Sequence, residues 1–234
     1  MDRIRPADGR DLLVRAVAPG VVLWGLIAGF GLALTGPLAG LSHAEEAVND
    51  ELAADRTPGW NTVTLVWSHL GNTETVIGVC LVVAGLLLWR TRDWRLAAVP
   101  AIAIALQAVI FATVSSLVGR DRPSVAKLDV SPPTTSYPSG HTGASTALYV
   151  AFALVALQVH RTWLRRLTVI ACLLVPLLVA FARLYRGMHH VSDVGAAMVI
   201  GLGCALLAHG WYRHRTRSTT SGTRAAGRVR GQYS

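Results

Sequence analysis

Residues 96–118 read LAAVPAIAIALQAVIFATVSSLV, and residues 119–123, GRDRP, follow directly. The first stretch carries no charged side chain, and its length falls within the range of about 17–25 residues that a transmembrane helix needs. The apolar run ends at Val118, and charged residues begin at Arg120. These two stretches together predict a helix that crosses a membrane and a polar loop at one end of it.

Five further apolar runs predict the same kind of element. They lie at residues 16–42, 70–89, 142–159, 167–182 and 194–212. The chain is 52% hydrophobic and 15% charged, whereas soluble domains carry about 25% charged residues. The sequence therefore predicts an all-α integral membrane protein with a six-transmembrane-helix bundle over residues 16–212.

The basic residues are distributed unequally between the two sides of this predicted bundle. If residues 1–15 are cytoplasmic, sixteen of the 22 Lys and Arg residues lie on the cytoplasmic side and six on the other. Such an excess is typical of cytoplasmic loops. We therefore expect both termini in the cytoplasm, and the membrane topology explains the net charge of +9 better than nucleic-acid binding does.

Two polar segments flank the spans. Residues 43–70 are expected outside, as an acidic loop over 45–56 followed by an interfacial helix, because Val63, Val66, Trp67 and Leu70 share one helical face. Residues 213–234 are rich in Arg, Ser, Thr and Gly and predict a disordered cytoplasmic tail. Cleavage of residues 1–44 as a signal peptide is an alternative, but the apolar core is longer than the usual 7–15 residues or so.

Three polar motifs fall at span ends that face the same side. The first is Gly119-Arg120-Asp121-Arg122-Pro123, after span three, and the second is Pro138-Ser139-Gly140-His141, before span four. The third consists of Arg183, His189 and Asp193, between spans five and six. Because successive spans alternate in direction, the topology alone brings the three motifs to one face, predicted to be the outer one.

These residue types suit the transfer of a phosphoryl group, whose oxygens carry the negative charge. Arg122 and Arg183 can each bind such oxygens in a bidentate manner. Ser139 and Gly140 precede a helix whose N-terminal amides favour an anion. A phosphate site at this face is therefore expected.

Two histidines and one carboxylate can supply the chemistry. Asp193 follows His189 by four residues, so it is expected to hold one imidazole nitrogen while the other attacks phosphorus. His141 is placed to give a proton to the leaving oxygen. His190 is a rival to His189, since it lies three residues from Asp193.

The order and spacing of the motifs resemble the three-part signature of the type 2 phosphatidic acid phosphatase family. The matching elements are Arg122-Pro123, Pro138-Ser139-Gly140-His141 and Arg183-x5-His189-x3-Asp193, and the resemblance covers about residues 60–212. It implies that His189 is the nucleophile, that Asp193 is its partner and that His141 is the general acid. It also implies that Arg122, Arg183, Ser139 and Gly140 bind phosphate.

The chain departs from this family at one charged position. The family has a lysine seven residues before the position of Arg122, where this sequence has Ser115. Arg120 is the predicted substitute for the missing charge, because it shares a short loop with Arg122.

The resemblance implies a metal-independent lipid phosphatase that needs no cofactor, nucleic acid or obligate protein partner. Undecaprenyl diphosphate is the preferred substrate, with phosphatidic acid and phosphatidylglycerol phosphate as alternatives. A non-catalytic lipid-binding or lipid-moving protein on the same scaffold is a second hypothesis, and a vanadate-dependent haloperoxidase-like enzyme is a third. The six apolar runs argue against the third.

Overall fold

The computed structural model describes residues 6–131 and 133–230, with side chains described for residues 8–131 and 133–214. Within these ranges the regular structure is helical, which confirms the predicted all-α class. The elements are α1 (Pro6–Leu12), a π-helical turn (Leu13–Val17), α2 (Ala18–Thr35), α3 (Ala39–Ala54), α4 (Pro58–His69), α5 (Thr73–Thr91), α6 (Trp94–Val118), α7 (Gly140–Ala156), α8 (Thr162–Tyr185) and α9 (Val191–Arg230).

The predicted number of six spans is not matched in full. Among the described residues, five segments are long and apolar enough to cross a membrane, namely Asp8–Thr35, Thr73–Thr91, Trp94–Val118, Thr162–Tyr185 and Val191–His214. The predicted fourth span is α7, which has only 17 residues and is therefore about 26 Å long. It packs against α6, α8 and α9, so much of its surface contacts protein.

The segment before α5 differs from the prediction at one element. Residues 45–56 were expected as a loop, but α3 extends from Ala39 to Ala54 and buries Glu45 and Asn49. Ala, Glu and Leu are good helix formers, and Glu45 is neutralised by an ion pair with Arg120 at 2.9 Å. A helix lies where the interfacial helix was expected, namely α4, whose start is capped by the hydroxyl of Thr57.

The C-terminal segment also differs from the prediction. Helix α9 continues to Arg230, through most of the segment that was expected to be disordered. Arg and Ala favour helix, and propagation from an existing helix adds one hydrogen bond for each residue ordered. The parts of the predicted terminal segments at residues 1–5 and 231–234 lie outside the described residues.

Close packing of α7 against α9 aligns the starts of these two helices. A Cβ added to Gly201 would lie 2.5 Å from Cβ of Thr146 and 2.7 Å from the carbonyl oxygen of Gly143. Small residues at such contacts let two membrane helices approach closely. Since both helices begin at the same end of the bundle, their first turns lie side by side.

Candidate active site

A cavity of about 340 Å³ lies at the end of the bundle where α7 begins. Five of the predicted site residues line it: Arg122, Gly140, His141, Arg183 and His189. Apolar side chains of α5 and α6 line its other part, including Val76, Ile104 and Phe111. The cavity therefore joins a cationic region to an apolar one.

His189 lies in the connection between α8 and α9 and is almost fully buried. Its Nδ1 donates a hydrogen bond to the backbone carbonyl of Ser136 at 2.7 Å. This bond fixes the proton on Nδ1, so Nε2 carries the lone pair. Burial, and next the positive charge of Arg183, hold the pKa of His189 well below its usual value, although Asp193 opposes the shift. The imidazole is therefore neutral and able to act as a nucleophile.

Asp193 makes a different contact from the one predicted. Its Oδ2 lies 3.9 Å from Nδ1 of His189, beyond hydrogen-bonding distance. The same oxygen accepts a hydrogen bond from the backbone N–H of His190 at 2.8 Å and one from the hydroxyl of Ser136. Asp193 lies in the first turn of α9 and reaches back to the residue that precedes the helix, as acidic residues do in capping boxes. Asp193 therefore acts on His189 in two ways, through its negative charge and through the hydrogen bond that it accepts from Ser136.

His190, the rival nucleophile, does not line the cavity. Its Nδ1 lies 3.3 Å from Asp193 and its Nε2 lies 3.3 Å from Glu46. Burial lowers the pKa of His190, but the hydrogen bond and charge of Asp193 outweigh burial and raise it. The structure thus separates the two histidines, with His189 at the cavity and His190 between carboxylates.

His141 occupies the second position of α7 and is oriented from α5. Its Nε2 donates a hydrogen bond to Oδ1 of Asn72, the residue before α5, at 2.8 Å. Gly71, which precedes Asn72, lies so close to His141 that a Cβ added to it would be 2.9 Å from the carbonyl oxygen of His141. The turn between α4 and α5 therefore fixes the imidazole, a role that the sequence motifs do not include.

Arg183 is held at one edge of its guanidinium. Its Nη1 donates to Oγ of Ser68 at 2.8 Å and to Oδ2 of Asp129 at 2.7 Å, while its buried Nε has no partner among the described residues. Asp129 also accepts hydrogen bonds from Arg186. Burial favours the neutral acid, but these bonds and the two positive charges outweigh it and lower the pKa of Asp129. Part of the cationic group is thus left for a ligand.

Arg122 is anchored through backbone oxygens. Its Nη1 donates to the carbonyl of Met188 at 2.8 Å, and its Nη2 lies 3.3 Å from the carbonyl of Thr134. Neutral carbonyls hold the side chain without cancelling its charge. Arg122 therefore brings a full positive charge to the cavity wall.

Arg120 and Ser139, which were predicted to bind phosphate, do not line this cavity, and neither does Ser115. Arg120 is buried, donating from Nη2 to Glu45 at 2.9 Å and from Nη1 to Asp193. Ser139 is buried with its hydroxyl 3.0 Å from that of Thr142, and Ser115 has its hydroxyl 3.0 Å from that of Thr135. Arg120 therefore joins α3 to the start of α9 and does not replace the missing lysine at the cavity.

The two helix starts at this face differ in how their amides are satisfied. At α9 the amides of His190 and Ser192 donate to Asp193 and Glu45, each at 2.8 Å. At α7 the amides of Gly140 and His141 find no acceptor among the described residues. The start of α7 is consequently the one available to an anion.

Sequence motifs did not identify several residues that shape the site. They are Ser68, Asn72, Asp129 and Ser136 at its polar end and Gln107 at its apolar end. A polar residue before a span, like Asn72, is a detectable signal of a helix cap. The others become recognisable only once distant parts of the chain are brought together.

No group of three or more His, Cys, Asp or Glu side chains with metal-binding geometry is present in the described part of the chain. The cationic groups at the cavity are arginines.

Comparison with known proteins gives one family match. The model of the PAP2 superfamily matches residues 94–217, which include all three motifs. Phosphatidylglycerophosphatase B of Bacillus subtilis is 24% identical over 173 residues, which cover 73% of this chain and 84% of that protein.

Two solved structures resemble this fold. The crystal structure of a transmembrane PAP2-type phosphatidylglycerolphosphate phosphatase from Bacillus subtilis has a TM-score of 0.72 at 21% identity, covering 83% of this chain and 96% of that one. The structure of Aquifex aeolicus LpxE has a TM-score of 0.56 at 18% identity, covering 70% and 93%.

Proposed function

Since the chain belongs to the PAP2 superfamily, we propose that this multi-pass membrane protein is a lipid phosphatase that works through a phosphohistidine at His189. The observation that carries the proposal is the state of His189. Its Nδ1 proton is fixed by Ser136, and its ring lines a cavity shared with Arg122, Arg183 and His141. A neutral imidazole beside fixed cations is suited to attack a phosphate ester.

Binding places the phosphate between the two arginines and the start of α7. The open edge of Arg183, the charge of Arg122 and the amides of Gly140 and His141 neutralise its oxygens. Asp129 and Ser68 keep the guanidinium of Arg183 oriented from its other edge. Substrate binding thus uses charges that are already in place.

In the first chemical step Nε2 of His189 attacks phosphorus, and the bond from phosphorus to the lipid oxygen breaks. The leaving oxygen takes a proton from His141, which has to be protonated at both ring nitrogens before this step and is neutral after it. In the structure this proton is directed at Oδ1 of Asn72, so the leaving oxygen must replace Asn72 as the acceptor or use the other ring nitrogen. In the second step neutral His141 takes a proton from water as its oxygen attacks phosphorus. The bond from phosphorus to Nε2 of His189 breaks, which releases inorganic phosphate and restores the neutral imidazole.

The substrate is proposed as a class of lipid phosphates. An outward-facing site favours undecaprenyl diphosphate, whereas the names of the Bacillus subtilis sequence relative and structural neighbour favour phosphatidylglycerol phosphate. Phosphatidic acid is the simplest member of the class. Phosphate release by the purified protein from a panel of these three lipids in detergent ranks them.

The same assay separates the proposal from its rivals. A lipid phosphatase releases phosphate, loses this activity in His189→Ala and retains it in excess chelator, because arginines supply the positive charge. A lipid-moving protein releases none. Bromide oxidation in added vanadate would identify a haloperoxidase, whereas a phosphatase of this mechanism is inhibited by vanadate.

A further inference from the structure

Gln107 is a buried polar residue at the depth of the apolar layer. It lies on α6 between Ile104 and Phe111, lines the cavity and is only 3% exposed. Its side chain makes no hydrogen bond to any residue that the structure describes, and its amide atoms are open to the cavity rather than fully enclosed. An amide that faces a largely apolar cavity wall without a protein partner is costly to leave unpaired, so a group that enters the cavity is the expected partner.

The position of Gln107 relative to the phosphate site follows from α7. A Cβ added to Gly140 would lie 3.0 Å from the ring of Phe111, and one added to Gly143 would lie 2.6 Å from Nε2 of Gln107. Gln107 therefore lies three residues deeper along α7 than Gly140, a distance of about 4.5 Å. The absence of a side chain at Gly143 leaves room for the amide.

We propose that Gln107 is a specificity-determining residue that donates a hydrogen bond from Nε2 to an ester carbonyl of a glycerolipid phosphate. This inference rests on the proposed function. In a diacylglycerol phosphate the ester carbonyls lie a few bonds from the phosphate oxygen, which matches one turn of α7. A polyprenyl phosphate has only hydrocarbon at this depth and leaves the amide unpaired.

The test combines a change in the lipid with a change in the protein. The lipids are dioleoyl phosphatidic acid and its dialkyl ether analogue, which lacks both carbonyls, and the protein variant is Gln107→Leu. For the unmodified protein we expect kcat/KM to be about tenfold higher for the ester, equivalent to about 1.4 kcal/mol. In Gln107→Leu we expect this ratio to fall below about two, through a loss on the ester lipid.

Two controls isolate the effect. Thr113→Val removes a polar group from the exposed side of the same helix and should leave the ester-to-ether ratio unchanged. Hydrolysis of para-nitrophenyl phosphate, which has no lipid part, should be equal in the unmodified protein and in Gln107→Leu if the phosphate site is intact.

The possible outcomes are distinct. An ester-to-ether ratio near one in the unmodified protein would overturn the proposal without any variant, and so would an unchanged ratio in Gln107→Leu. Equal loss on both lipids would show that Gln107 only supports packing. Failure of the unmodified protein to hydrolyse any lipid phosphate would instead contradict the proposed function.

Discussion

The imidazole of His189 donates its Nδ1 proton to the backbone carbonyl of Ser136 at 2.7 Å. A carbonyl keeps its acceptor character at every pH, so the tautomer of His189 does not depend on the ionisation of Asp193. Asp193 accepts a hydrogen bond from the hydroxyl of that same Ser136 and so fixes the residue that orients His189.

Replacement of the two cavity histidines should separate the two chemical steps. His189→Ala should lose essentially all turnover and form no phosphoenzyme. His141→Ala should be nearly inactive on lipid substrates but still become phosphorylated by an aryl phosphate, whose leaving group needs no proton. Radiolabelled phosphoenzyme, measured after acid-free quenching, reports both results, and turnover by His189→Ala would disprove the nucleophile.

The pH dependence of phosphoenzyme formation should reflect the lowered pKa of His189. A lowered pKa means that the neutral form persists at lower pH, so the rate should stay constant below about 6.5, the usual pKa of histidine. Arg183→Gln should move the acid limb upward but only in part, because burial is the larger cause of the shift. The assay uses an aryl phosphate whose own ionisation is titrated separately. A limb centred near 6.5 in the unmodified protein would contradict this prediction.

Arg120 and Arg122 should differ in what their loss affects. Arg120 is buried between Glu45 and Asp193, so Arg120→Met should cost about 3–5 kcal/mol of stability, measured as a fall in Tm in detergent. Arg122 is only partly buried and lines the cavity, so Arg122→Met should keep its Tm and lose on the order of a hundredfold in kcat/KM. The reverse pattern would place the phosphate at Arg120.

Ser115 should contribute modestly. Its hydroxyl forms a neutral hydrogen bond with Thr135, worth about 0.5–1.5 kcal/mol, so Ser115→Ala should lower kcat/KM by about tenfold or less. Ser115→Lys should leave activity unchanged or raise it, because it restores the charge that the family has there. Loss of activity in correctly folded Ser115→Lys would mean that the site is built around a small neutral group.

The two sides of the membrane can be distinguished by labelling. In a background with Cys80, Cys172 and Cys204 replaced, Lys127→Cys should react with an impermeant thiol reagent in intact cells, and Ser221→Cys should react only after permeabilisation. The prediction follows from the excess of basic residues on one side of the bundle. The opposite pattern would place the site in the cytoplasm.

The sequence predicted the helical class and five of the residues that line the cavity because hydropathy and motif spacing are local properties. It misassigned the partner of Asp193 because the rule that residues four apart are neighbours holds inside a helix. His189 precedes α9, which begins at Val191. The contacts of His189 with a backbone carbonyl and of His141 with Asn72 join segments 53 and 69 residues apart, and no local pattern encodes them. The acidic residues in α3 suggested a loop because the ion pair that neutralises Glu45, with Arg120, is likewise distant in sequence.

Gly71 carries no functional group, yet the carbonyl of His141 leaves no space for a Cβ beside it. In a saturation mutagenesis screen scored by growth, position 71 should behave like a catalytic position, with even alanine depleted. Gly78, which lies within the following helix α5, has open space around it and should tolerate alanine. Classifying natural variants of this protein by chemical similarity alone would therefore misjudge Gly71→Ala as harmless.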